Sequence, residues 1–205
     1  MVVTGHTPNF LPGASVIRKV MSADAVIWMD LMQYERHGFC NRNRFSDGAW
    51  LTVPVNVADD RGPFNEVRIA DPSGFARRKI ARTLEHRMGI ASALRSACEL
   101  LTPYGLLVGL NMALLRHTLC RFGEPPEEHM QSHLAAGRYD DVSEGLAAMT
   151  AEVGGTVWLS GPSGRNYLDE APFAARGIAV EYFEHVGPNP CALELLTGGR
   201  IKEAA

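Results

Sequence analysis

The sequence predicts an α/β fold, a single domain with a mainly parallel, Rossmann-like sheet flanked by helices and with a helical middle section. An apolar run at residues 1–4, a helical pattern at 14–23 and a second apolar run at 25–29 follow one another in the order of a βαβ unit. Residues 142–183 repeat the alternation of helix and strand. Nothing in the middle of the chain resembles a linker, so we assign residues 1–205 to one domain.

Each element is predicted from the spacing of apolar residues and from flanking glycine or proline. In the helix at 14–23 the apolar residues recur at helical spacing, which places Arg18 and Lys19 on the outer face. The further predicted elements are strands at 50–55 and 67–69, two helices within 76–122, a helix at 142–153, a strand at 156–159, a short helix at 173–177, a strand at 178–183 and a closing helix at 191–196. The first two of these strands form a hairpin-like excursion, because a turn separates them.

Charge, hydropathy and cysteine usage argue against several classes of function. The formal net charge of the 205 residues is -3, which argues against nucleic-acid binding. No apolar run approaches the ~20 residues that span a bilayer, so we expect a soluble, cytoplasmic protein without a membrane partner. Cys40 is predicted to be dispensable, because no basic partner is fixed beside it. Reduced thiols without metal or redox spacing are predicted for all four cysteines, Cys40, Cys98, Cys120 and Cys191.

The first loop of the βαβ unit concentrates polar residues that can do chemistry. Pro8 and Pro12 restrict its backbone, so the segment from His6 to Gly13 should be stiff and extended. Asp30 follows the second strand, and the carboxyl ends of parallel strands meet at the edge where α/β enzymes place their sites. His6 is the candidate general base, with Asp30 to fix its tautomer. Bracing of the loop is the structural alternative for both residues.

A second glycine-rich loop follows the strand at 156–159. Its sequence from Ser160 to Tyr167 offers backbone N–H groups that can cradle an oxyanion, a phosphate or a carboxylate. A bare structural turn is an equal alternative, because the spacing of its glycines is a weak signal. His129 and His133 stand four residues apart, but a third ligand is missing, so no metal is predicted. No cofactor is predicted either.

The order of these motifs resembles the WbqC-like family, proteins often associated with bacterial O-antigen and natural-product gene clusters. The resemblance covers most of the chain. It rests on His6-Thr7-Pro8-Asn9-Phe10-Leu11-Pro12, Asp30 with Gln33-Tyr34, Asn41-Arg42-Asn43-Arg44, Leu51-Thr52-Val53-Pro54-Val55, Asn65-Glu66-Val67, Lys79 with Thr83, Leu159-Ser160-Gly161, Tyr167-Leu168 and Gly177-Ile178 with Val180 and Tyr182. The sequence departs from the family at Thr7 and Cys40, where the family has glutamine, and at Ile80, where it has histidine. The resemblance implies a single α/β domain that modifies a sugar or a small metabolite.

We expect an enzyme that transfers an acyl or aminoacyl group from a thioester to an amine of a small metabolite or amino sugar. An acyl carrier protein is a candidate partner. The predicted catalytic residues are His6, Asp30, Asn9 and Asn41, with the asparagines as oxyanion donors. The predicted substrate-binding residues are Gln33, Arg42, Asn43, Arg44, Lys79, Ser160, Gly161 and Tyr167, with the arginines as forks for a phosphate or carboxylate. Two alternatives stay open: nucleotide or nucleotide-sugar chemistry, and a non-catalytic binding partner in a biosynthetic complex.

Overall fold

The computed structural model describes residues 1–56, 61–70, 74–75, 78, 80 and 105–196. These residues belong to two units, each held by its own internal contacts. Unit 1 consists of Met1–Thr7, Ser15–Leu31 and Glu124–Gly187, and unit 2 of the described parts of Pro8–Ala14, Met32–Gly123 and Pro188–Ala205. The assignment of residues 1–205 to one domain stays a prediction.

The strands and helices are numbered in chain order. The strands within the described ranges are β1 (Val2–His6), β2 (Ala25–Trp28), β3 (Arg42–Arg44), β4 (Trp50–Thr52), β5 (Glu127–Met130), β6 (Val157–Ser160) and β7 (Ala179–Tyr182). The α-helices whose bounds are described are α1 (Ala14–Met21), α2 (Leu107–Leu119), α3 (Val142–Glu152), α4 (Ala171–Ala174) and α5 (Ala192–Leu196). Short 3₁₀ turns lie at Phe64–Glu66, Gln131–His133, Ala135–Gly137 and Pro162–Asn166.

Unit 1 is built on a five-stranded parallel sheet with the strand order β5-β2-β1-β6-β7. The chain passes from β1 through α1 to β2 on one side, and later adds β6 on the other side of β1. The strand order therefore reverses between β1 and β6, at the topological switch point where open α/β sheets bind their ligands. The predicted α/β fold, with a mainly parallel sheet flanked by helices, is confirmed.

The sequence did not indicate β5. Its four residues read as a polar segment, because Glu127, Glu128 and His129 precede its single apolar residue, Met130. β5 is an edge strand that pairs with β2 alone, and such a strand can keep polar side chains in contact with water. Edge position thus explains why a strand here carries no apolar signal.

The apolar core of unit 1 lies between the sheet and the helices α3 and α4. Val3, Ile27 and Trp158 of the strands pack there with Met149 of α3 and Phe173 of α4, and none of these exposes more than 3% of its surface. Burial of such large side chains stabilises the unit by roughly 2–3 kcal/mol each. This packing fixes the strands whose carboxyl ends form the candidate site.

Two residues explain where α3 begins and ends. The Asp141 carboxylate accepts a hydrogen bond from the Glu144 N–H at 2.8 Å, which satisfies one of the free N–H groups at the start of the helix. Gly154 has φ 79°, the left-handed conformation that ends helices and that glycine adopts without strain. The predicted helix at 142–153 is confirmed within one residue.

Unit 2 is organised around α2, which the sequence predicts to be a core helix because it is apolar nearly all round. Leu107, Leu110 and Leu119 are fully buried. Asn111, also fully buried, donates from Nδ2 to the carbonyl oxygens of Pro8 and Cys40, each at 2.7 Å. One amide of α2 therefore holds both the proline loop and the segment that leads into β3.

Two expectations for other elements need correction, and a third concerns residues outside the described ranges. The strand at 50–52 pairs with β3 in a hairpin, which the sequence did not predict. The expected pairing of 50–55 with 67–69 is confined to an antiparallel bridge of Val55 with Ile69 and the backbone hydrogen bonds on either side of it. Lys19 is not on an outer face, because only 7% of its surface is exposed. The part of the helical middle section at 81–104 lies outside the described residues. No helix in the described ranges is long and apolar enough to cross a membrane.

Gly145 tests the packing of α3. Alanine normally stabilises a helix by about 1 kcal/mol relative to glycine, but a Cβ at position 145 would lie 2.1 Å from Tyr139 Cγ, at the fixed end of that side chain. Gly145→Ala should therefore lower the free energy of unfolding by about 1–3 kcal/mol in urea denaturation. Gly161→Ala is the matched control, because a Cβ there meets no atom within 4 Å. An increase in stability of Gly145→Ala would contradict this packing.

Candidate active site

The hydrogen-bond ladder between β1 and β6 opens at the switch point. Its last registered pair is Thr4 opposite Leu159. The next acceptor on β1 is the Gly5 carbonyl and the next donor after β6 is the Gly161 N–H, and these two groups do not bond to each other. The opening leaves backbone groups of unit 1 available at the carboxyl edge of the sheet.

The Thr7 N–H points into this opening. The Met29 N–H donates to the His6 carbonyl at 2.9 Å, so that carbonyl points toward β2. In a trans peptide the following N–H points the opposite way, and the chain has no cis peptide bond in its described part. The Thr7 N–H is therefore directed toward β6.

The Gly161 N–H points into the opening from the other side. The Phe183 N–H donates to the Ser160 carbonyl at 2.9 Å, which directs that carbonyl toward β7 and the Gly161 N–H toward β1. Among the described residues, neither this N–H nor that of Thr7 has a hydrogen-bond partner. Nothing lies within 4 Å of where a Gly161 Cβ would be, so a ligand has room there.

Lys19 is the residue at this edge that the sequence did not reveal. Its Nζ donates to the Gly5 carbonyl at 2.8 Å, in place of the missing ladder partner. Burial lowers the pKa of Lys19 to about 8. In a helix Lys19 lies about 200° from Ile17, on the side opposite the apolar stripe, so its spacing gives no sign of burial.

His6 presents one nitrogen as a base. Its Nδ1 lies 2.7 Å from the Thr7 carbonyl, which can only accept, so Nδ1 carries the proton and Nε2 has the free lone pair. The pKa of His6 is lowered to about 4, chiefly by burial and also by the Lys19 ammonium, while the Thr7 hydrogen bond opposes the change. Although part of His6 remains accessible, the imidazole is neutral at pH 7.

The role expected for Asp30 is wrong in one respect. Asp30 lies at the same edge of the sheet, two residues beyond the partner of His6 in β2. Its carboxylate, however, accepts from the N–H and the hydroxyl of Ser132, at 2.9 and 2.7 Å. The Thr7 carbonyl, and not Asp30, sets the tautomer of His6. Asp30 instead joins the chain after β2 to the chain after β5.

The second loop supplies one group that remains available, the Gly161 N–H. Ser160 is 4% exposed, and its hydroxyl donates to the Gly161 carbonyl at 3.2 Å. A Cβ at Gly164 would lie 2.0 Å from Ser160 Oγ, so the hydroxyl is covered by the turn. Tyr167 is 59% exposed. The Ser160 hydroxyl is thus not presented to a ligand, and the substrate-binding roles of Ser160, Gly161 and Tyr167 stay predictions.

The predicted asparagines lie in unit 2, where two of them use their donors for structure. Asn41 is 6% exposed, and its Nδ2 donates to the Val53 carbonyl at 2.8 Å. The amide of Asn43 donates to the carbonyls of Phe10 and Leu11. One donor of Asn41 and the amide of Asn43 are thus engaged in the structure, while the oxyanion-donor role of Asn41 and the substrate-binding role of Asn43 stay predictions. The buried Oδ1 of Asn41 has no partner in the described part of the chain, so this amide offers an acceptor.

Asn9 and Cys40 contact each other in unit 2. The Cys40 thiol is directed at Asn9 Oδ1 at 3.7 Å, which leaves the NH₂ group of Asn9 available. Burial raises the pKa of Cys40; a backbone hydrogen bond at Glu35 lowers it and the Glu35 charge raises it. Cys40 is therefore a buried thiol rather than a reactive thiolate.

The two predicted arginines flank an exposed indole. Arg42 donates from Nη2 to the His37 carbonyl at 2.6 Å and from Nε to the Gly38 carbonyl at 3.4 Å, so one edge of its fork is already occupied. Its Cζ lies 4.4 Å from the centre of the Trp50 ring, and that of Arg44 lies 5.8 Å away. The bidentate anion contact predicted for Arg42 is therefore restricted to its Nη1 side.

A cavity of about 260 Å³ lies within unit 2. The described residues that line it carry arginine, histidine, amide and other side chains but no carboxylate, and include Arg36, His37, Asn41, Arg42, Thr52 and Asn56. Gln33 is exposed and pairs through its backbone with Pro63. Lys79 lies outside the described residues. Within unit 2, the cavity is the place where predicted residues come together.

No metal site is formed by the residues that the structure describes, since no three His, Cys, Asp or Glu side chains are placed to share an ion. His129 is part of β5, and its Nε2 lies 3.3 Å from Glu127 Oε1. His133 lies in the following 3₁₀ turn. The two histidines are thus not on one helical face.

The chain belongs to the WbqC-like protein family, whose model matches residues 7–189. It is also 30% identical over 194 residues to the uncharacterized protein Rv1507c of Mycobacterium tuberculosis, a match that covers 87% of this chain and 80% of the relative. No solved structure matches the chain. The expected family is therefore confirmed. The name of the relative states no activity.

The protonation of His6 should make stability depend on pH. An unfolded histidine titrates near pH 6.5 and the folded His6 near pH 4, so the unfolded state binds the extra proton between these values. The contribution of His6 is present above pH 6.5 and is lost as the pH falls toward 4, by roughly 3 kcal/mol. We expect the difference in free energy of unfolding between wild type and His6→Gln to follow this course in urea titrations. A pKa of His6 near 6.5 by NMR would contradict it.

Proposed function

We propose that the protein transfers an acyl or aminoacyl group from a thioester to an amine, with the reaction at the opening between β1 and β6. The observation that carries this proposal is the pair of unpartnered N–H groups, of Thr7 and Gly161, directed into the opening beside the neutral His6. Two such donors and a nearby base are what acyl transfer needs, because charge develops on the carbonyl oxygen while a proton leaves the nucleophile.

His6 would act as general base through Nε2. The amine nitrogen attacks the thioester carbon, and Nε2 takes the proton that the nitrogen must lose. When the carbon–sulfur bond breaks, the thiolate leaves with that proton, so the products are an amide and a thiol. The Thr7 carbonyl holds Nδ1–H throughout and so keeps the ring in the tautomer that this step requires.

The N–H groups of Thr7 and Gly161 would hold the oxygen of the tetrahedral intermediate. Loss of one such donor costs about 3–4 kcal/mol in enzymes where it has been measured. Backbone donors suit this task because they are fixed before the reaction begins. Asp30 supports the same edge indirectly, through its two hydrogen bonds with Ser132.

We also propose that unit 2, taken by itself, binds an anionic ligand in its cavity. Arg36 and Arg42 are in the wall of its cavity, and none of the described lining residues is a carboxylate, which favours a phosphate or a carboxylate as the ligand. The unpartnered Oδ1 of Asn41 adds a requirement for an N–H or O–H donor on the ligand. A phosphorylated hydroxy compound or an amino sugar phosphate satisfies both conditions, and so does a phosphopantetheine arm on a carrier protein.

The direct test is an assay of the purified protein with acyl and aminoacyl thioesters and a panel of amines, with mass spectrometry to detect the amide. His6→Ala should lower the rate by roughly a hundred- to ten-thousandfold without loss of the fold, because it removes the base. His133→Ala is the control, an exposed histidine of the same unit. A fully active His6→Ala protein would remove His6 from the mechanism. Absence of amide with every donor would favour nucleotide-sugar chemistry or a non-catalytic role.

A pair of substitutions at Gly161 tests the oxyanion donor. Gly161 has φ −74°, which proline can adopt, so Gly161→Pro removes the N–H without forcing the backbone. Gly161→Ala keeps the N–H and adds a methyl group in open space. We expect kcat to fall by about 10²–10³ in the proline variant and to change little in the alanine variant. Equal rates in the two variants would show that this N–H does not meet the oxyanion.

A further inference from the structure

Lys19 is a buried cation without an anionic partner. Only 7% of its surface is exposed, and among the described residues no carboxylate forms an ion pair with it. Its ammonium has three N–H donors, and the one acceptor it has in the described structure is the Gly5 carbonyl. Removing a charge from water without pairing it is costly. A lysine that only supported the backbone would lower the stability of the fold, because its charge would be buried without a counterion. The unpaired charge therefore suggests that the counterion of Lys19 is a ligand.

The position of the Lys19 ammonium indicates where that ligand binds. His6 turns its carbonyl toward β2, so the preceding Gly5 carbonyl faces β6 and the opening of the ladder. Lys19 Nζ lies 2.8 Å from that carbonyl oxygen. The Thr7 and Gly161 N–H groups are directed at the same opening. The ammonium of Lys19 and the N–H groups of Thr7 and Gly161 therefore face one opening. Apart from the bond of Lys19 to the Gly5 carbonyl, they have no acceptor among the described residues.

We propose that Lys19, with the N–H groups of Thr7 and Gly161, forms a binding site for an oxyanion at the carboxyl edge of β1. The ligand is a carboxylate or a phosphate group, because both offer oxygens that accept from several donors at once while neutralising the ammonium. In the proposed reaction the same site holds the negative oxygen of the tetrahedral intermediate. The inference rests on the proposed function only for this last step.

The first experiment uses the wild-type protein and simple anions. The chain has three lysines, Lys19, Lys79 and Lys202, so selective ¹³C labelling of lysine gives three ε-carbon signals. Sodium acetate and inorganic phosphate are titrated separately against sodium chloride at constant ionic strength. We expect the Lys19 signal, assigned by its absence in Lys19→Met, to shift saturably with one or both oxyanions. Saturation by acetate identifies a carboxylate site, saturation by phosphate identifies a phosphate site, and no saturation with either overturns the proposal.

The second experiment separates a binding role from a structural one. Lys19→Met keeps an unbranched side chain, one atom shorter than that of lysine, and removes the charge. It should bind the oxyanion at least ~10-fold more weakly, while its melting temperature does not fall, because an unpaired buried charge is lost. Arg138→Met removes the same charge from an exposed position of unit 1 and should bind as wild type does. Unchanged binding by a folded Lys19→Met protein would overturn the proposal, whatever its melting temperature.

The Gly161 pair provides an independent check of the same site. Gly161→Pro removes one of the three donors, so it should weaken oxyanion binding, whereas Gly161→Ala should not. His6→Ala keeps all three donors and should still bind the oxyanion although it has lost the base. Oxyanion binding without amide formation from any thioester would leave this inference standing and reject the acyl-transfer proposal. Amide formation without oxyanion binding at Lys19 would overturn this inference and support the acyl-transfer proposal.

Discussion

The parting of β1 from β6 is the constraint on which the candidate site depends. A parallel ladder normally consumes every backbone donor and acceptor between two strands. Here the pairing stops after Thr4 and Leu159, and the groups that follow are left for other partners. The strand order reverses at the same place, so the helices that cover the sheet leave the edge accessible. Backbone groups are therefore available to a ligand, because the hydrogen-bond ladder is incomplete at this point.

The polar groups at this edge influence one another through charge as well as through geometry. The buried ammonium of Lys19 contributes to keeping His6 neutral, since a second positive charge nearby would be repelled. The imidazole therefore stays unprotonated over the neutral range of pH and keeps a free lone pair on Nε2, but a pKa near 4 makes it a weaker base than an ordinary histidine. Sequence reasoning placed His6 correctly at the end of β1, but attributed the orientation of its ring to a carboxylate that is engaged with Ser132.

The sequence predicted the elements whose apolar spacing reflects burial, and failed where burial and spacing disagree. The βαβ start, α3, β6 and β7 carry apolar residues on the faces that become the core. β5 is an edge strand of charged residues, and Lys19 is buried on the polar side of α1, so neither has a pattern to detect. Which amide hydrogens of Asn41 and Asn43 are already engaged depends on tertiary contacts that residue spacing does not encode. The family assignment needed only the order of motifs.

The amide of Asn111 has a consequence for the dynamics of unit 2. Because its two hydrogen bonds reach from the centre of α2 to Pro8 and to Cys40, neither segment can leave its place without breaking a bond inside the core. The amide hydrogens of the proline loop should therefore exchange together with those of α2 in native-state hydrogen exchange. Both segments would open in one cooperative event rather than by local fluctuation.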